Sequence, residues 1–167
     1  MDEQAKKTSL RMIPYGLYVL TGESKGGQVV ASTVNWVTQA SFEPPLVAVG
    51  VKVDTDTHTV IQESRCFALN VLSKGQQAMA FSFFKSQERD GNTIGGEAFS
   101  SGETGAPLLE NALAVLDCRL VDSVEKGDHS LLVGEVVDAA VRREFSGRPD
   151  LETLTLLDLG EKTFYGG

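Results

Sequence analysis

The chain has 167 residues, 41% hydrophobic and 23% charged, proportions that fit one ordinary globular domain and leave no room for two independently folding enzymes. Fifteen Lys and Arg against 23 Asp and Glu give a net charge of −8, which disfavours nucleic acid or an anionic membrane as partner. All of the excess acid lies after residue 84, since residues 1–84 carry seven basic and seven acidic side chains, so an anionic ligand meets less repulsion in the first half.

A polar N-terminal segment begins with a short helix, and its apolar run is too short and too broken by Pro14 for a secretory signal. No stretch approaches the ~18 apolar residues of a membrane span, so the expectation is a cytoplasmic protein with one domain over residues 1–167. Tyr15 to Thr21 reads as a strand rich in aromatic and β-branched residues, and Glu23 to Gly27 turns the chain. Gln28 to Ser41 is one long β-favouring stretch that ends at Pro44-Pro45. Leu46 to Val53 follows as a strand whose near-continuous apolar run predicts burial on both faces.

Asp54 to Thr59 leads into a short helix ending near Glu63, with Thr59 and Gln62 spaced as a capping box. Cys66 to Leu72 is the next strand, and Gln76 to Phe84 a helix with Met79, Ala80 and Phe83 on one face. Residues 85–106 show no sustained period and read as a long loop. Ala114 to Val124 and Ser130 to Val141 are strands joined by the hairpin signal Glu125-Lys-Gly-Asp, and Leu151 to Leu159 supplies a last strand. About seven strands without regular β-helix-β alternation predict a mainly β fold, an antiparallel barrel with a few short helices.

The motifs exclude as much as they suggest. Neither GxGxxG nor a P-loop occurs. Gly22 to Gly26 matches GxSxG, but it joins two strands where a hydrolase needs a strand-to-helix elbow, so it is a turn. Asp54-x-Asp56 with His58 begins like a calcium loop, yet Thr59 stands where glycine is required and Arg65 where glutamate is required, so it reads as a helix start. Two histidines cannot build a multi-His metal centre, and no metal site is expected. Cys66 and Cys118 sit in apolar runs without CxxC spacing and read as buried thiols. Thr33, Asn35 and Gln39 share a face if their strand is regular, with Trp36 on the other.

The series Thr33-Val-Asn-Trp-Val-Thr-Gln-Ala-Ser-Phe-Glu-Pro-Pro-Leu, Lys52-Val-Asp-Thr-Asp-Thr-His-Thr, Phe67-Ala-Leu-Asn-Val-Leu, Thr104-Gly-Ala-Pro-Leu-Leu-Glu and Gly127-Asp-His-Ser-Leu-Leu-Val-Gly-Glu-Val resembles the flavin reductase-like, FMN-binding split β-barrel family over roughly residues 10–165. The resemblance implies a homodimeric Greek-key split barrel holding FMN, or FAD, near the subunit interface. It places Thr33, Val34, Asn35 and Trp36 along the isoalloxazine and ribityl, with Gln39 and Ser41 further along the strand. It places Lys52, Thr55, Thr57 and His58 at the phosphate, which agrees with the independent reading of helix amides, hydroxyls and one lysine as suited to a dianion. His129 then lies close to the flavin or the nicotinamide and positions substrate. Asn35-Trp36 departs from the two small hydroxyl residues common in the family. The implied activity is hydride transfer from NAD(P)H to flavin and on to free flavin, a ferric chelate or a redox protein partner. Two alternatives remain open: a flavoredoxin-like electron carrier with tightly held FMN and no direct use of NAD(P)H, and a ligand-binding barrel without flavin.

Overall fold

A computed structural model describes residues 1–166. Helix α1 (Glu3–Arg11) starts at Asp2, whose carboxylate accepts the amide hydrogen of Ala5. The strands β1 (Tyr18–Glu23), β2 (Val29–Val34), β3 (Val37–Ser41), β4 (Leu46–Lys52), β5 (Cys66–Val71), β10 (Ala114–Glu125) and β11 (His129–Val141) form one antiparallel sheet in the order β2-β1-β5-β10-β11-β4-β3. Its two edge strands, β2 and β3, are separated in sequence by Asn35 and Trp36 alone. Three Cα steps reach no more than about 11 Å, whereas the edges of a flat seven-stranded sheet would stand roughly 29 Å apart. The sheet is therefore rolled into a barrel, and because β2 and β3 do not pair, it is split at Asn35-Trp36.

The long stretch from Gln28 to Ser41 is thus two strands rather than one. The break removes the simple alternation, so Asn35 and Gln39 do not share a strand face.

Two hydrophobic layers follow from the alternation in the central strands. Leu20, Val47, Val49, Val51, Phe67, Leu69 and Leu132 fill the barrel, while Val19, Ala68, Leu72, Met79, Ala80 and Phe83 belong to a second layer outside it. Strands β1 and β5 contribute to both layers, which is why both of their faces are buried. In strand β4, Val47, Val49 and Val51 are buried in the barrel, and on the other face Ala48 is buried, Gly50 half-buried and Lys52 exposed. Burial on both faces, as predicted, holds around Ala48 and ends toward Lys52, where the outer face borders a cleft.

Helix α2 (Asp56–Ser64) is capped by Thr55, whose Oγ1 accepts from the His58 amide at 3.2 Å; the Thr59–Gln62 box does not form because the helix has already begun. Helix α3 (Gln77–Ser82) buries Met79 and Ala80 as the spacing predicts, with Phe83 buried at its end.

The stretch 85–106 is not a plain loop. It carries β6 (Arg89–Asp90), β7 (Thr93–Ile94) and β8 (Glu97–Ser101), which join β9 (Pro107–Leu109) in a small antiparallel sheet over the outer layer. The final strand expected over 151–159 is also absent. A short helix α4 (Pro149–Glu152) and a 3₁₀ turn (Leu156–Leu159) occupy that stretch, and Thr155 and Asp158 form a reciprocal cap on the turn.

Candidate functional site

A cleft of about 420 Å³ opens where the barrel is split, a volume in the range of small-ligand sites. Its walls come from the end of β2 (Ser32 to Asn35), the outer face of β4 (Gly50 to Lys52), Phe83 and Phe84 after α3, and Thr163, Phe164 and Tyr165. A second, more polar cavity of about 270 Å³ shares Ser32, Thr55, Phe83 and Phe84 with it and adds Thr57, Lys85 and two carboxylates, Asp54, which is paired with Lys52, and Asp56 in the first turn of α2. The two form one elongated depression with an apolar chamber and a hydroxyl-rich annex.

Asn35 carries the most informative signal. It is 6% exposed, lines the apolar chamber, and among the described residues its Nδ2 has no hydrogen-bond partner. A buried amide donor left unmade costs about 1–3 kcal/mol, so a side-chain rotation that turned this donor toward the adjoining cleft would let an acceptor from outside the chain satisfy it.

The annex is organised by the start of α2. The first amides of a helix have no intrahelical acceptor, so they and the helix dipole favour an anion there. Ser32 Oγ lies 2.6 Å from Thr57 Oγ1, which brings two hydroxyls together. Lys52 is less available: its ammonium bonds Asp54 at 3.0 Å, and this bond raises the Lys52 pKa and lowers that of Asp54. Among the described residues Lys85 makes no ion pair, and it borders the annex, whereas Lys52 borders the apolar chamber.

At the opposite end, His129 pairs in register with Lys52 across β4 and β11 and faces the chamber. Its Nδ1 lies 3.0 Å from Asp128 Oδ1 and its Nε2 2.8 Å from the Tyr165 hydroxyl. The hydrogen bond to His129 lowers the Asp128 pKa, and burial raises that of Tyr165.

Trp36 packs behind His129, with ring centroids 4.5 Å apart, and across Gly50, where a Cβ would stand 3.0 Å from the indole Cε3. The indole therefore supports the cleft from outside and does not line it. Among the described residues its buried Nε1 has no partner.

Of the residues singled out from the sequence, the structure brings Thr33, Val34, Asn35, Lys52, Thr55 and His129 to the chamber and Thr55 and Thr57 to the annex. The Thr33 hydroxyl is already committed, donating to the Ala80 carbonyl at 2.7 Å. Gln39 and Ser41 lie on edge strand β3, outside both cavities, because the chain turns at Trp36. His58 also lies outside them: its Nε2 meets Ser130 Oγ at 2.9 Å and ties α2 to β11.

Ser32, Lys85 and Tyr165 were not singled out as site residues. The alternation of β2 past Thr33 offered a weak signal for Ser32, while Lys85 and Tyr165 reach the cleft only through the tertiary fold.

The chain belongs to the flavin reductase like domain family, whose model matches residues 10–162. It is 36% identical to a ferric-chelate reductase (NAD(P)H) of Archaeoglobus fulgidus, over 87% of this chain and 83% of that one. It is 30% identical to an NADH:riboflavin 5′-phosphate oxidoreductase of Streptomyces pristinaespiralis, over 81% of this chain and 76% of the relative. It also spans 60% of a longer relative, the high molecular weight rubredoxin of Moorella thermoacetica, with 34% identity over 84% of this chain. Among solved structures, the NADH:FAD oxidoreductase of Streptomyces globisporus superposes with a TM-score of 0.70 at 29% identity, covering 84% of each chain. The antiparallel split barrel is thus the architecture of this family. No helix among the described residues is long and apolar enough to cross a membrane.

Proposed function

We propose that the protein is an NAD(P)H-dependent flavin oxidoreductase that holds FMN in the split-barrel cleft. The single observation that carries this reading is the unpartnered Asn35 amide on the wall of an apolar chamber that opens into an anion-suited annex. An isoalloxazine is flat, largely apolar and edged with hydrogen-bond acceptors, and the FMN phosphate is a dianion. The donor set fits both parts.

Bound there, the flavin supplies the two-electron chemistry by accepting a hydride from NAD(P)H. The chain's own groups bind and orient. Lys85, Ser32, Thr57 and the first amides of α2 hold the phosphate by charge-assisted hydrogen bonds. Thr55 fixes that helix start by capping it. Asn35 donates from Nδ2 to an acceptor on the ring edge. Leu17 and Phe83 exclude water from the chamber floor. Thr33 holds β2 against α3, and His129 positions the second substrate. No acid or base in the protein is required for hydride transfer itself.

The reading extends to a homodimer in the cytoplasm. His129, Leu131, Gly50 and Lys52 share the outer face of β4 and β11, and Val124 pairs with Leu131 on the neighbouring strand. Leu131 and Val124 are 44% and 46% exposed, so an apolar patch continues directly from the cleft and suits a second copy. Two buried free thiols, Cys66 and Cys118, suit a reducing compartment.

A second reading, an electron carrier that passes electrons to a redox protein, is favoured by the match to part of the longer rubredoxin-type relative. The visible spectrum of the purified protein tests both. A yellow protein bleached by NADH or NADPH under anaerobic conditions supports the oxidoreductase. A yellow protein inert to both nucleotides supports the carrier. A colourless protein that takes up no FMN in a fluorescence titration overturns both.

A further inference from the structure

Assignment of the cleft to flavin and nicotinamide is the premise on which Tyr165 acquires a role. Both nitrogens of His129 are engaged, Nδ1 by Asp128 and Nε2 by Tyr165. A neutral imidazole has one donor and one acceptor nitrogen; with Nδ1–H directed to the carboxylate, Nε2 accepts the phenol hydrogen. His129 therefore has no nitrogen left with which to meet a substrate while Tyr165 stays in place.

Tyr165 is held lightly. Its ring packs 5.4 Å from Trp36, but the residue is 47% exposed, and its segment is fastened by few bonds. Arg11 donates from Nε to the Gly166 carbonyl at 3.3 Å and lies 4.4 Å over the Phe164 ring, and Thr163 bonds back to the Gly160 and Leu159 carbonyls. Burial keeps the phenol protonated, so it remains a donor at neutral pH.

We infer that Tyr165 is a specificity-determining residue of the cleft: it occupies His129 Nε2 until a flat ligand carrying its own hydrogen-bonding group, such as the carboxamide of a nicotinamide, takes its place. A ring without such a group must break the same bond and gives nothing back to His129, so the site disfavours it. Trp36, with its ring centroid 4.5 Å from that of His129 and 5.4 Å from that of Tyr165, is the platform on which both rest.

Tyr165→Phe keeps the ring against Trp36 and removes the competing hydrogen. In the FMN-loaded protein, titration calorimetry with NAD⁺ is expected to show binding about tenfold tighter for Tyr165→Phe than for the unaltered chain, the scale of one net hydrogen bond. The FMN dissociation constant should stay within about twofold, whereas a merely structural role for Tyr165 would weaken both ligands. Arg11→Ala, which loosens the same segment without touching His129, should tighten NAD⁺ in the same direction by a smaller factor. Equal or weaker NAD⁺ binding by Tyr165→Phe, with FMN affinity intact, overturns the inference. If FMN binds but NAD⁺ binds to neither protein, both the nicotinamide assignment and the inference are overturned. If FMN itself fails to bind, the function reading has failed.

Discussion

The annex end of the cleft is organised by the short run from Asp54 to Thr57 at the start of α2, whereas the His129 end assembles Trp36, His129 and Tyr165 from three distant segments. A local motif is held by a helix cap and survives wherever the helix forms. A long-range cluster depends on the barrel closing and on a lightly held segment, so its contacts can exchange. Tight nucleotide anchoring belongs to the first kind of construction and exchange of a second ligand to the second.

The sharpest test of the annex separates Lys85, which borders it, from Lys52, which borders the apolar chamber. Lys85→Ala should weaken FMN by about 10- to 100-fold, since a hydrogen bond to a charged group contributes about 1.5–3 kcal/mol. Riboflavin, which lacks the phosphate, should bind the variant and the unaltered chain alike. Lys52→Ala should cost much less because Asp54 already compensates that charge. Fluorescence titrations with both flavins decide this, and a larger loss in Lys52→Ala would move the phosphate to the other end of the cleft.

Asn35 sits between the two ends, and its replacement should move stability and binding in opposite directions. Asn35→Leu removes a buried donor that has no partner among the described residues. Unfolding of the flavin-free protein by urea should therefore show stability unchanged or raised by about 1 kcal/mol, while flavin affinity falls about tenfold. A loss of stability comparable to the loss of binding would mean that Asn35 is satisfied within the fold and does not wait for a ligand.

The same contrast explains what could be read from the sequence. Strands buried against the barrel announce themselves by apolar, β-branched runs, as Leu46 to Val51 does in β4. The hairpin at Glu125 to Asp128 and the helix face of Met79, Ala80 and Phe83 were equally legible. Strands β6 and β7 are two residues each, too short to carry a period, so their small sheet looked like a loop. The apolar stretch near Leu156 resembled a strand because a Thr155–Asp158 cap reads in sequence as ordinary loop polarity.

Within the site, Thr55 and Thr57 were legible because they belong to a helix start, and the correction from Thr59 to Thr55 as the cap is one helical turn. Lys85 carried no local pattern that told a ligand-facing lysine from a solvated one. Tyr165 carried none either, because only the closure of the fold brings it to His129. The interruption at Asn35-Trp36 was hidden by its β-favouring surroundings, yet it is the hinge of the architecture, joining two sheet edges with two residues.

The smallest effect is expected at the support of the exchangeable end. Asp158 accepts from the Thr155 amide and hydroxyl, each at 2.8 Å, and the amide bond is the main cause of its lowered pKa. A carboxylate with a folded-state pKa below its unfolded value of about 3.9 contributes stability that is fully present above that value. The contribution is lost as pH falls through the lower folded value. Asp158→Asn retains a carbonyl acceptor but no charge, so its thermal midpoint should lie below that of the unaltered chain at pH 6. Because the group is largely solvated, the gap should correspond to about 1 kcal/mol or less, no more than about 2–4 °C. It should close only as pH falls through the lowered folded-state value, below which both side chains are neutral. Since Thr163 bonds back to Leu159 and Gly160 at the end of the same turn, Asp158→Asn should also loosen the segment bearing Tyr165. Hydrogen exchange at neutral pH should then be faster over 161–166 and unchanged at the start of α2. Equal acceleration at both places would show that the two ends of the cleft open as one unit.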